Sequence, residues 1–352
     1  MKLFTVGPVQ MYTETKQIAS QQLPYFRDED FSNMMLKMER QLKQILHVKE
    51  GRAIFLTGSG TSAMESLVAC SLRKENRVLI INGGSFGERF TKLCACYGIP
   101  YDEIKLPFPE TLSEEKLNQI DGSCYDALLV NLHETSTGQL YSLESISAYA
   151  KKYHLSLIVD AISSFLSDPL DMETYGIDAL ILSSQKALAC APGISMIIMK
   201  EQFYQSKIIA KTDICMYLSI KEHVKNMERG QTPNTPAVGV LLELSQMLDH
   251  ITQIGVDVLQ KQIQRRAQYF REHIQTLPVM LPPFPLSNAL TPLLFINHDA
   301  QMVYQQLKKR YQIYLTPSGG AMKTKMLRVG HLGDVSIQDY DELIACLKEV
   351  LI

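Results

Sequence analysis

Short apolar runs alternating with amphipathic stretches set the rhythm of this chain. Ala53-Ile54-Phe55-Leu56, Val78-Leu79-Ile80-Ile81, Ala127-Leu128-Leu129-Val130, Leu155-Ser156-Leu157-Ile158-Val159, Leu180-Ile181-Leu182 and Ser195-Met196-Ile197-Ile198-Met199 read as buried strands. Between them, residues 62–71, 86–97 and 143–153 read as helices. Ahead of them, residues 31–46 carry apolar side chains at helical spacing: Met34, Met35, Met38, Leu42, Ile45 and Leu46. Short all-apolar strands separated by helices predict a mostly parallel sheet covered on both faces, an α/β fold. The pattern stops near Arg229-Gly230-Gln231-Thr232-Pro233-Asn234-Thr235-Pro236. A helix-rich stretch follows over residues 238–275, and residues 288–352 mix strand-like and helix-like segments. Residues 1–30 read as an extended arm, broken at Gly7-Pro8 and again at Leu23-Pro24. The expected organisation is an arm and large domain over residues 1–240 and a small α+β domain over 241–352.

Bulk properties narrow the class. A chain of 352 residues with 46% hydrophobic and 20% charged residues is ordinary for a globular protein and long enough for two domains. The net charge of -2, without a long basic run, argues against a nucleic-acid partner. No apolar run reaches the ~18 residues of a membrane span, and the N-terminus lacks a signal-peptide core. Seven cysteines without a C-x-x-C pair or zinc spacing predict reduced, packed thiols, no metal and a cytoplasmic location.

The candidate chemistry sits at strand ends. In open α/β sheets ligands bind at the C-terminal edge of the strands. One apolar run ends in Asp160, and the next leads through Ser183-Ser184-Gln185 to Lys186. A partly buried amine has a lowered pKa and is nucleophilic, and a buried carboxylate needs a cation. Together they suggest pyridoxal phosphate, which takes a lysine for its Schiff base and an acid for its pyridine nitrogen. A solvated lysine and an Asp160 that caps the next segment are the plainer alternatives. Thr57-Gly58-Ser59-Gly60-Thr61, between a strand and a helix, can cradle a phosphate or serve only as a helix cap.

The chain resembles the class V, fold-type I pyridoxal-phosphate aminotransferases, in the branch of the alanine–glyoxylate, serine–glyoxylate and 2-aminoethylphosphonate–pyruvate enzymes. The resemblance covers nearly the whole chain. It rests on an ordered series: Thr5-Val6-Gly7-Pro8-Val9, Thr57 to Glu65, His133-Glu134-Thr135-Ser136-Thr137-Gly138, Val159 to Ser164, Ser183 to Leu188, and Leu327-Arg328-Val329-Gly330-His331. It implies that Lys186 binds the cofactor covalently and then moves the α-proton. Asp160 would partner the pyridine nitrogen. Ser59, Gly60 and Thr61 resemble the phosphate cradle, with Gln185 beside it. Thr135 would sit near the phenolic oxygen and Phe86 would stack on the ring. Thr232 and Thr235 would reach the cofactor phosphate of a partner subunit in a homodimer, and Arg328 would grip a substrate carboxylate.

Plainer readings stand beside several of these. Phe86 also fits a core, Thr232 and Thr235 a Pro-containing linker, and Arg328 an ion pair. His331 reads as structural, with a minor role at the mouth of the site as the alternative. His133 reads as a loop residue beside the site. Arg27 either brings a second cation toward the site, suiting a phosphonate or dicarboxylate, or pairs with Asp28, Glu29 or Asp30. The implied activity moves an amino group from a small donor to a small 2-oxo acid. A lyase or desulfurase of the same class, with Cys215 as its thiol, is the second reading. A non-catalytic cofactor-binding regulator is the third.

Overall fold

A computed structural model describes residues 1–352. Its centre is a seven-stranded sheet. In spatial order the strands are Gly51–Thr57, Ile194–Lys200, Ala179–Ser183, Ser156–Asp160, Ala127–Asn131, Val78–Asn82 and Tyr101–Lys105. Ile194–Lys200 runs antiparallel to both its neighbours, and the remaining pairs are parallel. Helices cover the sheet, among them Glu29–Ile45, Gly60–Ser71, Gly87–Cys96 and Leu143–Lys152. Central strands buried on both faces cannot alternate polar and apolar residues, which is why they stand out as apolar runs.

Several elements were not evident in the pattern, the helix Ile220–Met227 among them. Tyr101–Lys105 is one of the two edge strands and buries only Ile104, so its sequence is mostly polar. The arm contains a short helix, Thr13–Ile18.

A second, antiparallel sheet orders Val279–Met280, Leu290–Phe295, Met326–Gly330 and Thr316–Pro317. Helices Ala300–Tyr311 and Ile337–Leu351 pack on it around a separate, smaller core. A boundary after residue 240 assigns the helix Val238–Ile254 to the small domain. Its buried Leu241, Leu244, Met247, Leu248 and Ile251 instead join the large core. The passage between cores falls along the next helix, Val256–His273, whose Leu259 and Ile263 face one core and Phe270 the other.

The arm is stitched to the small domain. Lys2–Leu3 pairs with Ile313–Tyr314, Phe4 is buried in the small core, and Gly330 N–H donates to the Phe4 carbonyl at 2.7 Å. No helix is long and apolar enough to cross a membrane.

Candidate active site

Three parallel strands end side by side, in the register Asn131 opposite Asp160 opposite Ile181. Asp160 is 1% exposed. Its Oδ2 accepts from Asn131 Nδ2 at 2.8 Å and its Oδ1 from Ile162 N–H at 2.9 Å. Burial pushes its carboxyl up to about 6, against the pull of these two hydrogen bonds.

Lys186 follows the end of the neighbouring strand and is 8% exposed. Burial lowers its amine to about 8; the Arg328 charge acts in the same direction and the Asp160 charge opposes it. Its Nζ donates to the Val6 carbonyl at 2.6 Å. Gly7 lies directly against it. A Cβ there would come within 2.6 Å of Lys186 Cδ, and Gly7 has φ +132°, where side chains are strained.

Gly60 opens the helix Gly60–Ser71 against the same sheet edge. A Cβ on it would fall 2.2 Å from Ile162 Cδ1 and 3.4 Å from Ser183 Cβ. The turn therefore lies over the start of the Ser183–Lys186 segment. Ser59, at the N-cap, is exposed and its side chain bonds none of the helix N–H groups, so hydroxyl and amides are free for an anion. Thr61 Oγ1 accepts from Arg89 at 2.8 Å. Gln185 Oε1 accepts from Ser183 Oγ at 2.6 Å.

Phe86 precedes the helix Gly87–Cys96 and is half-buried, with the Arg89 guanidinium 4.4 Å from its ring centroid. Glu134 holds this turn. Its carboxylate accepts from Phe86 N–H at 3.2 Å, Gly87 N–H at 2.9 Å and Ser136 N–H at 3.1 Å. Thr135 shares a 2.7 Å hydrogen bond with Ser163 Oγ. Arg328, on the small-domain sheet, reaches across to donate to the Thr135 carbonyl at 2.7 Å and to Pro317 at 2.7 Å. It is 8% exposed, and its Nε has no partner. Burial lowers it to about 10, with Glu134 opposing.

His133 is not in a loop. It belongs to the short strand His133–Glu134, is fully buried, and leaves both ring nitrogens unpartnered. Burial, with the Lys186 and Arg328 charges, lowers it to about 3, so the ring is neutral.

Lys186, Asp160, Gly60, Gln185, Thr135 and Arg328 thus converge, with Thr61 and Phe86 linked through Arg89. Other expected residues lie elsewhere. Thr232 is buried, but its hydroxyl donates to the Asn234 carbonyl within its own loop at 2.8 Å. Thr235 is exposed. Arg27 pairs with none of Asp28, Glu29 or Asp30. It donates to Gln231 Oε1 and to the Thr232 carbonyl, each at 2.9 Å, and its cation does not reach the site in this chain. His331 is not at the mouth of the site. It is fully buried in the small domain between Thr291 Oγ1 at 2.8 Å and Tyr340 OH at 3.0 Å. Cys215, the thiol of the desulfurase reading, lies against Cys70 at the far end of the helix Gly60–Ser71 from the Gly60 turn.

Asn131, Glu134, Arg89, Ser163 and His133 were missed as working residues. Three of them had a signal: His133 and Glu134 lie inside the His133–Gly138 motif and Ser163 inside Val159–Ser164.

The donor set fits one kind of group. Free amides at a helix start suit a phosphate, a buried carboxylate suits a protonated ring nitrogen, and a neutralisable amine suits a carbonyl. Arg328 Nε and both His133 nitrogens are buried without partners. Fold and site together define a fold-type I pyridoxal-phosphate enzyme. The alanine–glyoxylate aminotransferase of a Nostoc species has the same fold, with a TM-score of 0.93, 25% identity, and coverage of 99% of this chain and 95% of that one.

Residues 10–333 match the class V aminotransferase family, and the chain belongs to it. It is therefore a pyridoxal-phosphate-dependent transaminase. An uncharacterised aminotransferase of Helicobacter pylori is 28% identical over 96% of this chain and 90% of its own length. A 2-aminoethylphosphonate–pyruvate transaminase of Phocaeicola vulgatus is 28% identical over 92% of this chain and 91% of its own.

Proposed function

We propose that this enzyme moves an amino group from a small donor (alanine, serine or 2-aminoethylphosphonate) to a small 2-oxo acid such as pyruvate or glyoxylate. The observation that carries the reading is Arg328. It is a buried guanidinium with a free Nε, brought from the small domain to Thr135 beside Lys186. Such a group takes a carboxylate in two parallel hydrogen bonds. Within one chain Arg27 is committed to the Gln231–Thr232 loop, and Arg328 suits a donor with a carboxylate, which alanine and serine carry and 2-aminoethylphosphonate lacks. Alanine and serine are the favoured donors.

When bound, pyridoxal phosphate supplies an electron sink that acidifies the donor's Cα–H. Ser59, Gly60, Thr61 and Gln185 would hold its phosphate, Phe86 its ring face and Thr135 its phenolic side. Asp160 stays ionised opposite the ring nitrogen once that nitrogen is a cation, because the pair offsets the burial that now raises its pKa. Lys186, with its amine lowered to about 8, accepts a proton from the donor carbon and returns it to the cofactor side. Arg328 fixes the donor and then the 2-oxo acid by the carboxylate.

A half-reaction screen tests this. Single amines are mixed with the yellow enzyme and loss of visible absorbance is followed. Alanine or serine should bleach it, and regeneration should follow addition of pyruvate or glyoxylate. Bleaching by 2-aminoethylphosphonate alone would reverse the donor order. Arg328→Lys should raise KM for the 2-oxo acid roughly tenfold to a hundredfold, because loss of the bidentate contact costs about 1.5–3 kcal/mol. Its kcat should change far less in steady-state assays. Glu134→Gln should weaken cofactor binding about tenfold, since an amide oxygen cannot accept all the N–H groups that fix the Phe86 turn. Equilibrium dialysis of the cofactor reads this directly.

Homodimer and cytoplasm complete the proposal. The exposed Thr235, on a loop fixed by Arg27, is free to approach another subunit, and seven unpaired cysteines suit a reducing compartment. Sedimentation of the holoenzyme at the monomer mass would refute the dimer.

A further inference from the structure

We propose that Cys70 and Cys215 form a redox modification site, at which a hydroperoxide closes a reversible intrachain disulfide. Their Sγ atoms are 3.6 Å apart, already in contact. A disulfide needs about 2.05 Å, so the sulfurs must approach by roughly 1.5 Å. None of the other five cysteines has a sulfur partner.

The two residues are unequally held, which makes that approach feasible. Cys70 is in the last turn of the helix Gly60–Ser71 and is 2% exposed. Cys215 lies in an irregular segment between residues 210 and 219 and is half-buried. Its neighbours Ile214 and Met216 are 52% and 85% exposed, so they do not pin the segment to the core. The ends of the segment are tied to the same helix and its C-terminal extension. Arg73 donates to the Thr212 carbonyl at 2.6 Å and Ser66 Oγ to the Leu218 carbonyl at 2.7 Å. The segment is thus anchored on both sides of Cys215 and free to settle by about an ångström at its middle.

The roles of the two thiols differ. The hydrogen bond from Cys70, helped by the Arg73 guanidinium, holds the Cys215 thiol below its ordinary range, while burial and the Cys215 contact push Cys70 up. The accessible sulfur is therefore the nucleophile and the buried one keeps its proton. The Cys215 thiolate attacks one oxygen of the hydroperoxide. The O–O bond breaks, the distal oxygen leaves as hydroxide or alkoxide and takes a proton, and Cys215 becomes a sulfenic acid. Cys70 then attacks that sulfur, the S–O bond breaks, and water leaves with the Cys70 proton. Two thiols lose two electrons and two protons in all, and the peroxide is reduced by the same two electrons. A dithiol reverses the bridge by exchange.

The site is separate from the cofactor chemistry. Cys70 is ten residues along the helix from Gly60, about 15 Å from the phosphate-binding turn. The test is accordingly read by mass and not by turnover, and it stands whichever amine is the donor. Full-length holoenzyme is treated with hydrogen peroxide, alkylated under denaturing conditions and weighed intact. The expected product is a chain lighter by two hydrogen atoms with two fewer alkylatable thiols, a peptide linking Cys70 to Cys215, and full reversal by dithiothreitol. Cys215→Ser should abolish the bridge while the yellow cofactor band persists, which shows that the variant is folded. Cys70→Ser, if it folds, should leave a sulfenic acid at Cys215 that dimedone traps. A bridge that survives Cys215→Ser, a covalent dimer on a non-reducing gel, or oxidation of Cys215 to sulfinic acid in the wild type without a bridge would overturn the proposal.

Discussion

Replacing Lys186 with alanine lowers the rate of transamination by about 10⁴-fold or more and removes the visible band of the lysine-bound cofactor. Proton transfer by a positioned side chain contributes roughly 10²–10⁴-fold, and this lysine also activates the carbonyl it binds. The neighbouring cations, Arg328 and Arg89, are guanidiniums and offer no amine in its place. Stopped-flow measurement of the alanine half-reaction checks the size of the loss. Partial rescue by added methylamine distinguishes a missing base from a collapsed site. The lowered pKa gives a second reading of the same residue. Only the neutral amine attacks a carbonyl, so cofactor uptake by the cofactor-free wild type should accelerate as the pH rises and level off above about 8. An ordinary lysine would keep accelerating to about pH 10. Retention of the visible band and of full turnover in the alanine variant would dismantle the assignment.

Asp160→Asn lowers kcat by about 10²–10³-fold, the scale of losing one preorganised electrostatic group at a developing charge. Its effect on stability has the opposite sign. The carboxyl is raised from 3.8 to about 6 in the folded chain. Folded protein therefore binds the proton more tightly than unfolded protein. The stability this confers is complete below about pH 4 and lost as the pH rises through 6, to an upper bound of roughly 3 kcal/mol. An amide does not ionise and escapes that loss. Rotating the Asn131 amide, whose Oδ1 has no partner, keeps a hydrogen bond for the new side chain. Cofactor-free Asp160→Asn should consequently melt above the wild type at pH 8, with the gap closing by pH 4. Adding pyridoxal phosphate should raise the wild-type melting temperature more than that of the variant. Identical cofactor shifts in calorimetry would mean that Asp160 does not face the ring nitrogen.

These two residues were readable because each ends an apolar run, and the run itself is forced by burial on both faces of the sheet. The same logic found six of the seven central strands, including the buried edge strand Gly51–Thr57, and failed at the opposite edge, Tyr101–Lys105, where partial exposure relaxes the demand for apolar residues. It also found Ile194–Lys200 without its reversed direction, because an apolar strand carries no mark of its orientation. The supporting residues are of another kind. Glu134 acts on Phe86 from 48 positions away, and Asn131 on Asp160 from 29. Nothing local sets the Asn131 amide apart from a solvated one, and the motif around Glu134 does not name its partner. Arg27 shows the reverse case. Its nearest acidic residues in sequence suggested an ion pair, yet its partners are more than two hundred residues downstream.

Gly7 and Val6 have a consequence for how the enzyme comes into being during synthesis. The carbonyl that receives Lys186 belongs to an arm whose own anchors are Thr316 and Gly330, the first through the Val6 N–H at 3.0 Å. Residues 4–6 thus lack these anchors until a segment more than three hundred positions downstream has been made. Contacts of such sequence separation form late. Lys186 is seated at the end of folding, so a nascent or truncated large domain holds its sheet without a finished site. Cofactor colour in a pulse-labelled translation should lag behind protease resistance of the central sheet.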